Sequence, residues 1–235
     1  MKLIKSTLIV SVIIGVGLLS NTVLSSSSEK IKVAQLSAGD LAAALKAMPK
    51  GDPERGVIVS KQMMCNACHG EKGKPYTRNF PSIEGQNYQY TVKMMLDYRE
   101  GRRWESYKRA DVMVKIAENM TDQQIADVAS FYAKQTTTAW ESVAKQDHKK
   151  AIALVTSGDM SRMVMACAGC HGVKGKGSGL NPSLAGQIPE YFIRTLQAYH
   201  EKDRLNDVML QFTKALTEEE VTAIANYYAS LGETE

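Results

Sequence analysis

Apolar residues recur with the spacing of a helix face in two similar stretches of the chain. One stretch follows Thr121 and the other follows Thr217, and each threonine stands three residues before Gln124 or Glu220, which is the capping-box pattern that begins a helix. The apolar positions with i, i+3, i+4, i+7 spacing are Ile125, Val128, Ala129 and Tyr132, and Val221, Ile224, Ala225 and Tyr228. Because no segment alternates as a half-buried strand does, the pattern predicts an all-α fold.

Other helices are predicted from their start and stop signals. Asp52-Pro53-Glu54 is a favourable opening, with an aspartate to cap the free amides and a proline in the first turn, and this helix is expected to run into Cys65. Amphipathic stretches at 88–100 and 189–202 predict one further helix in each half of the chain. Gly232 is expected to cap the last helix at its carboxyl end.

Long parts of the chain occur twice. Cys-Asn-Ala-Cys-His-Gly at 65–70 matches Cys-Ala-Gly-Cys-His-Gly at 167–172, an offset of 102 residues. Pro-Ser-Ile-Glu-Gly-Gln at 81–86 matches Pro-Ser-Leu-Ala-Gly-Gln at 182–187, an offset of 101. Further pairs are Tyr90 with Tyr191, Tyr98 with Tyr199 and, at an offset of 96, Met113 with Met209 and Thr121 with Thr217. Similarity that extends this far marks an internal duplication, so two domains of like fold are predicted.

The first residues are typical of an export signal. Lys2 and Lys5 precede an apolar run at 8–19, and small polar residues follow at 25–28. A run of 12 residues is short for a membrane span, which needs about 20. Residues 1–28 are therefore predicted to be a signal peptide or an N-terminal anchor, and the remainder is expected in the periplasm.

Composition narrows the class of protein further. The 235 residues are 44% hydrophobic and 23% charged, with a formal net charge of +4, so a soluble globular protein is expected and nothing favours nucleic-acid binding. In an exported protein, the four cysteines are expected to form disulfides or to be consumed by other chemistry.

The spacing of the cysteines favours the second outcome. Cys-x-x-Cys-His is the attachment sequence for haem c, in which two thiols form thioethers with the porphyrin and the histidine binds the iron. The chain is therefore predicted to carry two haem c groups, attached through Cys65, Cys68, Cys167 and Cys170, with His69 and His171 as axial ligands. A zinc site or a thioredoxin-like redox pair is the alternative for an isolated Cys-x-x-Cys.

Methionines are the candidates for the opposite axial position. Among 12 methionines, Met63 and Met165 form one pair in the repeat and Met113 and Met209 form another. Met63 and Met165 stand two residues before their first cysteine, on the attached side of the porphyrin. Met113 and Met209 lie 44 and 38 residues after their histidines, which leaves enough chain to reach the far face. They are predicted to be iron ligands, with ordinary core packing as the alternative.

These motifs together resemble class I cytochrome c and, used twice after an export signal, the dihaem cytochromes of the c4 type. The resemblance covers roughly residues 51–231 and implies two tandem class I cytochrome c domains, each a few helices around a covalently bound haem. It also implies that the carbonyls of Pro81 and Pro182 accept a hydrogen bond from His69 and His171 and so orient the axial imidazoles.

The domain boundaries predicted from the repeat are a first cytochrome c domain at 51–138, a linker at 139–150 and a second domain at 151–235. Residues 29–50 form an N-terminal extension, in which Leu36, Leu41 and Leu45 predict an additional helix.

The resemblance implies an electron carrier, not an enzyme, with redox protein partners: a membrane quinol-oxidising complex, a terminal oxidase or reductase, or a dehydrogenase. The alternative is the cytochrome subunit of a larger oxidoreductase, such as a flavocytochrome sulfide dehydrogenase. A dihaem peroxidase is a third reading, which two equivalent methionine candidates argue against.

Charge is distributed unevenly between the two halves. Residues 29–140 carry 17 basic and 13 acidic residues, whereas residues 141–235 carry 10 and 12. One hypothesis is that the basic loop of the first domain, containing Arg99, Arg102, Arg103, Lys108 and Arg109, docks an acidic partner. Its alternatives are a solvated loop or arginines that neutralise haem propionates.

Overall fold

The computed structural model describes residues 33–103, 105, 110–204 and 206–233, apart from the side chain at position 207. The predicted signal segment at 1–28 and the start of the extension lie outside the described residues. Within the described part, the chain forms α-helices, one 3-10 turn at Met160–Arg162 and isolated bridges, without a β-strand. The predicted all-α fold is confirmed. No helix in these ranges is both long and apolar enough to cross a membrane.

Each half of the chain contributes a set of helices. The first half contains α1 (Ala38–Ala47), α2 (Pro53–Gln62), α3 (Cys65–His69), α4 (Tyr88–Arg99), α5 (Asp111–Glu118) and α6 (Asp122–Ala133). The second contains α7 (Glu141–Ala144), α8 (Lys149–Ser157), α9 (Ala168–His171), α10 (Pro189–His200), α11 (Asp207–Thr213) and α12 (Glu218–Ala229). Both belong to a single compact unit.

The helix starts follow the local sequence signals. Asp52 caps α2 by accepting a 2.8 Å hydrogen bond from the amide of Glu54. The capping boxes predicted at Thr121 and Thr217 are both formed, at the start of α6 and α12. The prediction for Gly232 is wrong, because Ser230 caps α12 and Gly232 instead lies where a Cβ would be 2.7 Å from the amide of Ala139.

Each domain has its own apolar core. In the first, the buried face of α6 packs with α2 and α4, and α5 packs on α4. In the second, α12 packs with α8 and α10, and α11 packs on α10. Ile125 and Tyr132 of α6 and their equivalents Val221 and Tyr228 of α12 are buried, as the spacing predicts. Burial of such side chains stabilises each domain by about 2 kcal/mol per residue.

The segment at 137–140, where the first domain passes into the linker, lies against the two Gly-Gln loops at 81–86 and 182–187. The buried carboxylate of Glu84 accepts hydrogen bonds from the amide and hydroxyl of Thr138, at 2.9 and 2.7 Å. The indole of Trp140 donates a 2.8 Å bond to the carbonyl of Gly186. A Cβ at Gly85 or Gly186 would lie within 2.6 Å of Thr137, so this segment can approach because both positions are glycine with positive φ. The two loops are thereby held side by side.

The extension packs on the first domain. Its predicted helix is present as α1, which Ser37 caps, and Leu45 and Met48 contact the first core. The side-chain amide of Gln35 donates a 3.0 Å hydrogen bond to the carbonyl of Arg102. The extension therefore covers part of α4 and the loop that follows it.

Candidate functional site

Both motif histidines end a short helix and are largely buried. His69 is 8% exposed and His171 is 6% exposed, at the ends of α3 and α9. Nδ1 of His69 lies 2.9 Å from the carbonyl oxygen of Pro81, and Nδ1 of His171 lies 2.9 Å from that of Pro182. Because a carbonyl can only accept, each Nδ1 carries the proton and Nε2 is the nitrogen available to a metal. The family resemblance implies this arrangement.

Burial lowers the pKa of both imidazoles, although the hydrogen bond to the proline carbonyl acts in the opposite direction. A histidine must be neutral to bind a metal through its lone pair. The surroundings of His69 and His171 therefore favour the neutral form, which can bind a metal.

The loop that presents each proline is anchored in the same way in both domains. The amide of Ile83 bonds to Gly73 at 2.8 Å, and the amide of Leu184 bonds to Gly175 at 2.7 Å. The next glycine, Gly85 or Gly186, donates at 2.9 Å to the carbonyl of the buried tyrosine on the last helix of its own domain. Each loop is thus fixed both to the segment that follows the Cys-x-x-Cys-His motif and to the final helix of its domain.

Among the four cysteines, Cys170 is exposed and the other three are half-buried. Burial raises the pKa of Cys65 and of Cys167, which pack against the first and second core. No group of three or more His, Cys, Asp or Glu side chains suited to a metal ion occurs among the described residues. The zinc alternative therefore finds no support in that part of the chain.

The two candidate methionines occupy equivalent places. Met113 lies on α5 and Met209 on α11, each half-buried against the core of its own domain. Asn206 begins α11 by accepting a 3.1 Å hydrogen bond from the amide of Met209. Neither of these short helices was predicted. The role of Met113 and Met209 as iron ligands stays a prediction.

Two buried arginines meet where the domains touch, and we call them, with their tyrosine partners, the arginine–tyrosine cluster. Arg103 donates a 3.0 Å hydrogen bond to the hydroxyl of Tyr191, and Arg204 donates a 2.8 Å bond to the hydroxyl of Tyr90. Each guanidinium also lies over a tyrosine ring of its own domain, 4.6 Å from Tyr98 for Arg103 and 5.0 Å from Tyr199 for Arg204. The cluster has the symmetry of the duplication, because the two arginines occupy equivalent positions in the repeat and so do their tyrosine partners.

The cluster carries more positive than negative charge. Among the described residues, Glu105 is the carboxylate that pairs with Arg103, at 2.8 Å. Burial alone would raise the pKa of Glu105, but attraction to Arg103 and Arg204 holds it below its usual range. Both guanidiniums also reach the sulfur of Met94, at 3.2 and 3.5 Å, which is a weak acceptor for a cation. Two buried guanidiniums, for which the described residues supply one carboxylate, favour the approach of further anionic groups.

The hypothesis that the basic loop of the first domain docks a partner is wrong for Arg102 and Arg103. Arg102 is buried and pairs with Asp97 and Glu100, and Arg103 is buried in the cluster. Arg99 pairs with Asp122 at 2.7 Å. Lys108 and Arg109 lie outside the described residues. Arg204 was missed, although an offset of 101 residues pairs it with Arg103.

These side chains fit a haem c group in each domain. Each domain offers two thiols, an imidazole bonded through Nδ1 that leaves Nε2 as the nitrogen for a metal, and a thioether against the same core, which is the donor set of a covalently attached, protein-ligated iron porphyrin. The excess of buried guanidinium charge suits the carboxylates that a haem carries.

Comparison with known proteins agrees with this donor set. The profile of the cytochrome c family matches residues 53–136 and again residues 161–232. Cytochrome c4 of Pseudomonas aeruginosa is 31% identical over 190 residues, which cover 77% of this chain and 89% of that protein. A thiosulfate dehydrogenase electron acceptor of Stutzerimonas stutzeri is 28% identical, over 74% of this chain and 81% of that protein.

A solved structure has the same fold. Reduced recombinant cytochrome c4 from Pseudomonas stutzeri superposes with a TM-score of 0.65 at 28% identity, over 77% of this chain and 99% of that one.

Two haem-attachment motifs, each in its own small helical domain, define a c-type cytochrome with two haem c groups. The chain belongs to the cytochrome c family, as a dihaem member of the cytochrome c4 type that mediates electron transfer.

Proposed function

We propose that the protein is a periplasmic carrier that passes single electrons between redox proteins. In this proposal Cys65, Cys68, Cys167 and Cys170 hold the two haem groups, His69 and His171 are the proximal ligands, and Met113 and Met209 are the distal ligands. The observation that carries the proposal is the repetition of one geometry: a buried histidine bonded through Nδ1 to a proline carbonyl, within a core that also contains a half-buried methionine.

The haem iron supplies a centre that gains or loses one electron. The residues of the chain orient the ligands and exclude water from them. Pro81 and Pro182 hold the imidazole rings in orientation and strengthen their donation to the metal. The apolar cores exclude water from the ligands, so little reorganisation accompanies a change of charge. If a histidine and a methionine of the chain both bound each iron, oxygen and peroxide would find no open coordination site, which argues against a peroxidase.

Arg103 and Arg204 supply the counter-charge in this proposal. They are buried and paired with a single described carboxylate, so they are suited to neutralise haem propionates. These two arginines would be the residues that hold the carboxylates of a bound haem.

The partners proposed are a membrane quinol-oxidising complex or a dehydrogenase as donor, and a terminal oxidase or reductase as acceptor. The similarity to an electron acceptor of thiosulfate dehydrogenase supports a dehydrogenase of sulfur compounds as one donor. The cytochrome subunit of a larger oxidoreductase, such as a flavocytochrome sulfide dehydrogenase, is the second candidate. Purification from the native membrane and periplasm separates the two, because a subunit elutes with a stoichiometric partner and a carrier elutes alone.

The ligand assignment is tested by Met113→Leu and Met209→Leu. Each variant is expected to lose the methionine–iron absorption band of one haem only and to gain one rapid cyanide-binding site, while the covalent haem content stays at two. Met63→Leu and Met165→Leu are the matched controls, since these residues stand beside the first cysteines. If a Met113 or Met209 variant retains the full band, that methionine is core packing and the proposed ligation is wrong.

A further inference from the structure

Each Gly-Gln loop sends its glutamine into the opposite domain. The side-chain carbonyl of Gln187 accepts a 2.9 Å hydrogen bond from the amide of Ser82, and its amide group donates a 2.9 Å bond to the carbonyl of Ser82. Gln86 makes the same pair of bonds to Ser183, at 2.8 and 3.1 Å. We call these two double hydrogen bonds the crossed glutamine clamps.

The clamps are buried and their polarity is fixed. All four residues are at most 7% exposed. The oxygen of Gln187 also accepts a 2.9 Å bond from the amide of Ile188, and that of Gln86 accepts a 2.9 Å bond from Asn87. Since two N–H groups meet each oxygen, the amides cannot be rotated by half a turn without placing a donor against donors.

The peptide that each clamp holds is the one that orients the axial histidine. The carbonyl of Pro81 and the amide of Ser82 belong to one peptide unit. That carbonyl accepts the bond from His69, while the amide donates to Gln187 of the other domain. In the second domain, the unit of Pro182 and Ser183 joins His171 to Gln86. A chain of hydrogen bonds therefore runs from each axial histidine into the opposite domain.

Hydrogen bonds in series polarise one another. When the N–H of a peptide donates, its carbonyl becomes a better acceptor, by about 10–30% per bond. A better acceptor draws the proton of the imidazole more strongly, and the imidazole becomes a stronger donor to iron. Stronger donation stabilises the ferric state and lowers the reduction potential. The glutamine of one domain can thus act on the iron of the other.

We propose that Gln187 and Gln86 are crossed positioning residues, each of which sets the reduction potential of the haem in the opposite domain through the Pro-Ser peptide beside its axial histidine. This inference rests on the proposed function, since it takes His69 and His171 as iron ligands. It adds that the potential of each haem depends on a side chain of the opposite domain.

A simpler role for the clamps is to hold the domains together. The two roles differ in which haem responds. If a clamp only holds the domains together, its loss loosens one shared interface and changes both haems in the same way for either variant. If a clamp polarises a peptide, replacing its glutamine changes the reduction potential of one haem only, and that haem belongs to the opposite domain.

The experiment compares Gln187→Leu with Gln86→Leu in the full-length holoprotein. Reduction is followed by NMR, with the haem-methyl signals assigned through their contacts with Cys65 and Cys68 or with Cys167 and Cys170. Gln187→Leu is expected to favour reduction of the first-domain haem about threefold, a rise of about 28 mV at about 59 mV per tenfold. Gln86→Leu is expected to do the same to the second-domain haem. In each variant the other haem stays unchanged.

A second readout reports the hydrogen bond directly. In the reduced, diamagnetic protein, the Nδ1 proton of His69 is expected to move upfield in Gln187→Leu, and that of His171 in Gln86→Leu. Gln135→Leu is the matched control, because its amide bonds within its own domain to Phe131 at 2.8 Å. It is expected to leave both potentials and both proton shifts unchanged.

Gln187→Glu separates polarisation from packing. It keeps an oxygen to accept from Ser82, so the potential of the first-domain haem is expected to return to the parent value or to fall below it. A rise as large as that of Gln187→Leu overturns the inference, as do equal shifts of both haems, a shift confined to the variant's own domain, or no shift at all. The proposed function stands in each of these cases if the parent protein carries two reversibly reduced haems.

Discussion

The two domains reach their cysteine pairs by different routes. In the first domain, α2 ends at Gln62, and only Met63 and Met64 precede Cys65. In the second, α8 ends at Ser157, and nine residues intervene before Cys167. These include the 3-10 turn at Met160–Arg162, a bridge between Asp159 and Val164, and Met163 in a left-handed conformation with φ of 61°. The motif tolerates either route because the Pro-Ser loop, not the preceding helix, orients the histidine.

The contacts that hold these segments to the last helix differ as well. In the first domain α2 lies close to α6, and the buried Asp127 accepts hydrogen bonds from Arg55 at 2.9 Å and from the amide of Asp52 at 2.8 Å. In the second domain Ala223 takes the equivalent position. There the partly exposed Arg162 joins the turn to Glu220 of α12, at 2.7 Å.

The two domains therefore hold the same motif with different contacts. The first domain uses a buried carboxylate, Asp127, and the second uses the partly exposed ion pair of Arg162 and Glu220. Replacing Asp127, a buried carboxylate that accepts several hydrogen bonds, costs more than replacing a member of a partly exposed ion pair, because the groups around it lose their acceptor while water screens the exposed pair. We therefore expect the first domain to be the more sensitive to substitution at the junction of its first and last helices.

The largest effect is expected from Gly56→Ala. A Cβ at this position would lie 2.3 Å from the carbonyl oxygen of Asp127 and 2.6 Å from Cβ of Phe131, so α2 and α6 must move apart. We expect the first domain to lose about 3 kcal/mol of its free energy of unfolding. Denaturant titration followed by peptide-resolved hydrogen exchange measures each domain separately.

Gly39→Ala is the control for this experiment. Its nearest neighbour would be the hydroxyl oxygen of Ser37 at 3.8 Å, and the change should alter stability by no more than about 0.5 kcal/mol. Equal effects of the two variants would show that the close approach of α2 and α6 contributes nothing.

An intermediate effect is expected from Asp127→Asn. Burial alone would raise the pKa of Asp127, but hydrogen bonds from Arg55, Asp52 and Gln123 hold it below its usual range. The folded state therefore binds the proton less tightly than the unfolded state, and the carboxylate stabilises the fold above the unfolded pKa of about 3.9. We expect the variant to lose about 2 kcal/mol at pH 7.

This difference should shrink as the pH falls below about 4 and through the lower pKa of the folded state. Unfolding curves of parent and variant at several pH values test this. A difference that stays constant down to the acid limit would mean that the charge of Asp127 is not what stabilises the domain.

The smallest effect is expected from Glu220→Gln in the second domain. Arg162 and other hydrogen bonds lower the pKa of Glu220, but the pair is partly exposed and water screens it. Glutamine can keep the capping box, as Gln124 does in the first domain. We expect a loss of no more than about 0.5 kcal/mol in denaturant unfolding of the second domain. A loss matching that of Asp127→Asn would remove the contrast between the domains.

Helices with strong local signals could be predicted from the sequence. The capping boxes at Thr121 and Thr217 and the apolar spacing behind them depend only on residues within one helix, and both helices are found where expected. The two-domain architecture could be predicted from the duplication, and the haem groups could be predicted from the attachment motif. These features needed no knowledge of how distant segments pack.

Features that depend on packing between domains could not be predicted. Gln86 and Gln187 were visible as a repeated motif, but their partners Ser183 and Ser82 belong to the opposite copy, which no local pattern reveals. The turn around Met163 was missed because a non-glycine residue rarely adopts a left-handed conformation. Pairing Arg103 with its repeat equivalent Arg204 would have pointed to the arginine–tyrosine cluster.

The most direct test is the intact mass of the purified protein, recorded together with its ferric absorption spectrum. We expect a mass that exceeds the polypeptide by two porphyrins, and one porphyrin fewer when Cys65 and Cys68, or Cys167 and Cys170, are replaced by alanine. The ferric parent should show the methionine–iron band of two haems. A polypeptide of unmodified mass, or a pair of alanine substitutions that leaves two porphyrins attached, would contradict the assignment of one covalent haem to each domain.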